Sequence, residues 1–87
     1  MTRKDDFISI TVRSFLPPNQ SIEGFDLGKP FAVQLPTDST LEELIEKLFW
    51  KKMDQIGVKT INKEVVEKAK ILKAGDQVDI FELIGGG

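Results

Sequence analysis

The 87-residue chain contains no cysteine and no histidine. Without thiols there is no disulfide, no thiolate metal site and no cysteine nucleophile. Without imidazole the commonest general base and the commonest metal ligand are also missing. The side chains left for chemistry are Asp, Glu, Lys, Ser and Thr. Adjacent acids such as Asp5-Asp6 and Glu42-Glu43 do not converge on one ion, so they read as solvated charge and no metal site is expected. No basic block is present either. Twelve Lys and Arg are scattered among fourteen Asp and Glu, for a net charge of −2, which gives no general attraction to nucleic acid or anionic lipid. The opening "MTRKDDFISI" has no long apolar run after it, since Ser9, Thr11 and Arg13 interrupt the pattern. It reads as neither signal peptide nor membrane helix, and the expected location is the cytoplasm. Gly28-Lys29-Pro30 lacks the upstream glycine and the following Ser or Thr of a phosphate loop. No cofactor is expected to bind this chain.

What is present suits one small domain. Apolar residues make up 40% of the chain and charged residues 30%, an ordinary globular balance. A chain of this size buries roughly 60–65% of its unfolded surface, enough for one modest core. Phe7 to Leu16 alternates, with Ile8, Ile10 and Val12 on one face and Ser9, Thr11 and Arg13 on the other, the period of a half-buried strand. The stretch Pro17 to Pro30, with three prolines, two glycines, Asn19 and Ser21, predicts a loop. It is long for a compact domain, and Phe25 and Leu27 are expected to pin it to the body. Phe31 to Pro36 predicts a second strand.

One helix is predicted next. Thr40 and Glu43 have the spacing of a capping box, with Ser39 and Glu42 as the competing register. Leu41, Leu44, Ile45 and Leu48 follow the apolar helical template, and Met53 lies where that stripe would continue. The helix is expected to fade near Asp54 and to end before Gly57. Trp50, off the stripe, reads as a helix-end packing residue. "GVKTI", a turn at Asn62-Lys63, and "EVVE" predict short strands. Ala74-Gly75-Asp76 predicts a turn before a last strand from Gln77 to about Phe81. In that strand Val78 and Ile80 share one face, and Asp79 and Phe81 the other. The order strand, strand, helix, then two or three strands implies an α+β domain. A mixed sheet of four to five strands packs on one main helix, with the last strand beside the first: a β-grasp arrangement.

At this point the sequence resembles a known family. The first strand opens the chain and holds "ITVRSF", "LPTDSTLEELIEKL" forms a strand-proline-cap-helix passage, and "INKEVV" lies where an Asn-Gly turn is usual. "LKAGDQVDIFELIGGG" combines a Gly-Asp turn, a strand, an Ile-Phe pair and closing glycines. Together these resemble the MoaD/ThiS sulfur carriers, small ubiquitin-like β-grasp proteins, and most closely the molybdopterin synthase small subunit. The chain departs from the pattern in four places. Glu82 and Leu83 stand where two prolines are common. Lys63 replaces the turn glycine, the 17–30 loop is longer, and three glycines replace two.

The resemblance implies a division at residue 84: a β-grasp domain over 1–84 and a flexible glycine tail over 85–87. It also implies that Gly87 supplies the reacting group. An E1-like adenylyltransferase, with its own ATP and Mg²⁺, would activate the Gly87 carboxylate. A sulfur donor system would convert the adenylate to a thiocarboxylate. A larger synthase subunit, like that of molybdopterin synthase, would take the sulfur. Gly85 and Gly86 would thread a narrow channel, since glycine has no Cβ and takes either sign of φ. Phe81, Leu83 and Ile84 are the candidate interface anchors. The chain itself would be a carrier and not an enzyme. Three other functions share the same features: a sulfur carrier for thiamin thiazole synthesis, a ubiquitin-like modifier conjugated through Gly87, and a non-catalytic β-grasp interaction domain.

Overall fold

β-Branched residues in alternation start the sheet. Strand β1 (Phe7–Ser14) turns Ile10, Val12 and Ser14 inward, all fully buried or nearly so. The computed structural model describes residues 6–19 and 21–83. β1 is followed by β2 (Phe31–Pro36), helix α1 (Leu41–Phe49), a 3₁₀ turn (Met53–Gln55), β3 (Ile56–Ile61), β4 (Glu64–Val65) and β5 (Gln77–Glu82). The strand order is β2-β1-β5-β3-β4. β1 and β2 form an antiparallel pair with Ile10 opposite Val33. β5 lies parallel to β1, with Val12 opposite Val78, and antiparallel to β3, with Ile61 opposite Val78. This is the mixed sheet, with the last strand beside the first, that the sequence predicts.

α1 covers one sheet face because its stripe of Leu41, Leu44, Ile45, Leu48 and Phe49 must leave water. Each buried side chain of this size stabilises by roughly 1.5–3 kcal/mol. They meet Ile10, Val12, Val33, Leu35, Val78 and Ile80 from the sheet in one cluster. Thr40 caps the helix as expected. Its Oγ1 accepts from the Glu43 N–H at 3.2 Å, and Glu43 Oε1 accepts from the Thr40 N–H at 2.8 Å.

The helix is shorter than its apolar pattern predicts. It stops at Phe49, and Met53 is exposed in the 3₁₀ turn. The reason is remote in sequence. The Asn19 N–H donates to the Leu48 carbonyl at 2.8 Å, and Asn19 Oδ1 accepts from the Lys51 N–H at 2.7 Å. The loop after β1 therefore occupies the helix end, where carbonyls need outside partners. Trp50, the residue that follows the helix, is half exposed. The loop itself is pinned differently from expectation. Phe25 meets Phe31 edge-on, with ring centroids 5.6 Å apart, but Leu27 is exposed. Ile22 packs on the core in its place.

The turn joining β3 to β4 puts both Asn62 (φ 51°) and Lys63 (φ 75°) in the left-handed region. Asn62 tolerates this, and its side chain is held by Asp76 and Gln77. Lys63 pays the Cβ penalty without such help. Lys63→Gly is expected to raise stability by about 0.5–1 kcal/mol in denaturant unfolding, because the penalty removed exceeds the added chain entropy. The exposed Lys63 ammonium lies 4.0 Å from Asp79, and losing so exposed a pair costs little.

Candidate functional site

The parallel register of β1 and β5 builds the face opposite the helix. It sets Arg13 directly against Asp79. Two residues further on, Phe15 just past the end of β1 meets Phe81 of β5. The rings stack with centroids 5.0 Å apart and planes 6° from parallel. Behind Phe15 stands Gly28, whose φ is +77° and whose N–H donates to the Ser14 carbonyl at 2.8 Å. A Cβ at Gly28 would lie 2.8 Å from the Phe15 ring, so the loop can approach the ring this closely only with glycine there. Phe15 is thus held between the loop backbone and Phe81.

Arg13 and Asp79 form a two-point pair. Nε donates to Oδ1 and Nη2 to Oδ2, each at 2.9 Å. Asp79 is almost fully buried beneath the guanidinium. These hydrogen bonds hold the Asp79 carboxyl below the ordinary carboxylate range, outweighing the opposite effect of burial, with help from the Gln77 amide and Lys63. The same contact raises the Arg13 guanidinium. A carboxyl depressed in the folded state stabilises the fold above its unfolded value of about 3.9. That stability disappears as pH falls through the folded value. Unfolding free energy followed from pH 7 down to 2 is therefore expected to fall more steeply in the parent than in Asp79→Asn, with the two curves converging in acid.

The end of β5 is fixed by its neighbours. Leu83 donates its N–H to the Gln55 carbonyl at 2.7 Å. A Cβ at Gly57 would come within 3.1 Å of the Leu83 Cα, so β3 and the end of β5 lie unusually close. Around this point the surface is apolar. Val58, Phe81 and Leu83 are all exposed and line an open hollow of about 500 Å³ with Gly57 and Glu82. Phe81, which the strand pattern places on the face away from the helix, is there, and Leu83 is more than half exposed. Ile84, Gly85, Gly86 and Gly87 lie outside the described residues.

Sequence reasoning singled out Phe81 and Leu83 but missed Phe15 and Val58. A signal for Phe15 exists: Arg13 and Phe15 are spaced two apart, as are Asp79 and Phe81. Paired in parallel register, the two doublets match charge with charge and ring with ring. Among the described residues no group of three or more acidic side chains is placed to hold a metal ion. Nor is any helix among them long and apolar enough to cross a membrane.

Two solved structures share this architecture. SAMP1 from Haloferax volcanii is 16% identical, with a TM-score of 0.60 over 91% of this chain and 99% of its own. A Pyrococcus furiosus protein, provisionally assigned as molybdopterin converting factor subunit 1, is 18% identical. Its TM-score is 0.60 over 88% of this chain and 99% of its own. At these identities the likeness establishes the fold. No curated protein matches the sequence. The model of the ThiS family matches residues 23–87, most of the chain and all of its last strand. With that match and the ubiquitin-like β-grasp fold, the chain belongs to the ThiS family of sulfur-carrier-like proteins.

Proposed function

We propose that the chain is a sulfur carrier that works through the main-chain carboxyl group of Gly87. A carboxylate is a poor electrophile because its charge repels a nucleophile. An E1-like adenylyltransferase that holds ATP and Mg²⁺ joins AMP to the Gly87 carboxylate and releases pyrophosphate. Sulfur from a donor system then forms a bond to the carbonyl carbon, AMP leaves, and a thiocarboxylate results. A larger synthase subunit takes the sulfur. Molybdopterin synthesis is the pathway we favour, supported by the likeness to the Pyrococcus protein named for molybdopterin conversion.

The observation that carries this reading is the family match, whose range of residues 23–87 takes in Gly85, Gly86 and Gly87. Three glycines reach at most about 10 Å, and ordering them in a channel costs on the order of 1–2 kcal/mol per residue. Phe81, Leu83 and Ile84 are the proposed anchors that offset this cost. An apolar side chain buried at an interface returns roughly 1.5–3 kcal/mol. Phe81 and Leu83 stand exposed beside the strand end that leads to the tail.

Intact-mass measurement of the protein purified from its native host tests the proposal. The expected species is heavier than the unmodified chain by the difference between sulfur and oxygen, and fragmentation places that difference on Gly87. Failure of the chain to form an adenylate with ATP and its E1-like partner would overturn the reading. Lysine conjugates through Gly87, without free thiocarboxylate, would assign the modifier function instead.

A further inference from the structure

Strand β3 carries one residue that its pattern does not explain. Lys59 stands opposite Ile80 in the register, so it lies on the helix-covered face with Ile61 and Val78. A lysine on a core-facing position is a polar residue where the pattern calls for an apolar one. It is half-buried. It makes no ion pair among the described residues, and its ammonium finds only the Gly57 carbonyl, at a long 3.4 Å.

Lys59 lines a cleft of about 370 Å³ between α1, the 3₁₀ turn and β3. Ile45, Met53 and Ile56 supply its apolar part. Of the other charges on its rim, Lys68 is matched by Glu42 at 3.8 Å. Asp54 also lines the cleft and makes no ion pair among the described residues. Lys59 is thus the cation of the cleft that has no carboxylate.

The backbone beside the cleft is open as well. β4 pairs only with Thr60 and Ile61. The outer edge of Ile56 to Lys59 therefore has no strand partner among the described residues. An unpaired edge is a template for another extended chain. Strand alternation would send one set of the added side chains into the cleft and the other set beside exposed Val58.

We infer that this edge and cleft form a second docking site. Its occupant is an extended peptide segment of another protein. The segment adds along β3 beyond β4, sets a carboxylate on Lys59, and places an apolar side chain against Ile45, Met53 and Ile56. Lys59 selects the occupant: the edge offers backbone pairing to any strand, but only an acidic side chain at the position facing Lys59 completes it. The cleft lies on the helix side of the sheet, and the edge meets the Phe81 and Leu83 hollow only through Gly57 and Val58. It neither uses Gly87 nor depends on the sulfur-carrier proposal.

The test uses the isotopically labelled full chain and a capped peptide, Leu-Thr-Glu-Thr-Leu, followed by NMR. The expected result is amide shifts confined to Ile56–Lys59 and the neighbouring cleft, with cross-strand contacts between peptide and β3 backbone. Lys59→Met keeps the aliphatic stem and the unfolding midpoint but weakens binding about tenfold or more. The peptide with Lys in place of Glu binds no better to the parent than the parent peptide binds to Lys59→Met. Four outcomes would overturn the inference. The shifts could map to the β2 edge or the Phe81 face. Lys59→Met could bind undiminished. Free 4-methylpentanoate could bind as tightly as the peptide, which would make the cleft a small-molecule site. The same shifts could appear on concentrating the chain alone, which would make the occupant a second copy.

Discussion

A chain lacking Gly86 and Gly87 is expected to yield no thiocarboxylate at all, while its thermal unfolding midpoint stays at the full-length value. The loss is complete because the proposed chemistry uses no side chain. Truncation leaves a carboxyl group on Gly85, two residues short, or roughly 7 Å at full extension. Placing a reacting carbonyl even about 1 Å away from its partner can cost a hundredfold in rate. The fold should not notice. The buried core runs from Ile10 to Ile80, and the last backbone hydrogen bond of the described sheet region is Leu83 to Gln55. Circular dichroism melting and an adenylation assay on the same preparation separate the two effects. Persisting adenylation would defeat the carrier proposal, and a collapsed midpoint would show a structural role for the tail. An unchanged phenotype or binding profile on truncation would favour an interaction domain whose glycines are inert.

The second large effect concerns the core. Phe49→Ala is expected to remove about 3–5 kcal/mol of stability. Phe49 is wholly buried at the last position of α1. There the helix meets the loop that closes its end, through Asn19 and the Leu48 carbonyl. The ring's removal leaves a void that two fixed elements cannot both collapse into. Against the 5–15 kcal/mol that holds small domains together, that is a large share. At about 4–8 °C per kcal/mol for a domain of this size, the midpoint should drop by at least about 12 °C. Trp50→Ala next door is the control. Its side chain is half exposed, so the shift should be small, and a comparable loss would show that Trp50 shares in the core.

Much of the architecture was legible because local signals agreed with one another. Thr40 and Glu43 marked the helix start, and period-two alternation marked β1, β2 and β5. The element order then left little choice of topology. The sequence was silent where a partner is remote. The end of α1 is set by Asn19, whose side chain lies 32 positions before Lys51. No helical pattern around Lys51 could show that. The expectation that Met53 continues the stripe failed for this reason. Leu27 was judged by its hydrophobicity, but a backbone contact through Gly28 fixes the loop and leaves Leu27 outside. Asp79 read only as a residue on the strand face shared with Phe81. Its burial required knowing that Arg13 would lie across it. The exposed apolar face emerges only once β1 and β5 are set parallel, which brings two short i, i+2 doublets together from 66 positions apart.

The central place of β5 has a consequence for how the domain comes into being. β5 joins two otherwise separate ladders, β2-β1 on one side and β3-β4 on the other. Both of its neighbours precede it in the chain, so during synthesis each ladder waits with an open inner edge until the last strand emerges. Contacts spanning most of the sequence close late and make folding slow and cooperative. The strand that seals the sheet is also the one that leads directly into the tail. Assembly of the apolar face at the end of that strand is therefore coupled to completion of the whole domain. An incompletely folded chain has no assembled Phe15–Phe81 surface to offer, so an activating enzyme that grips this face would act on finished molecules.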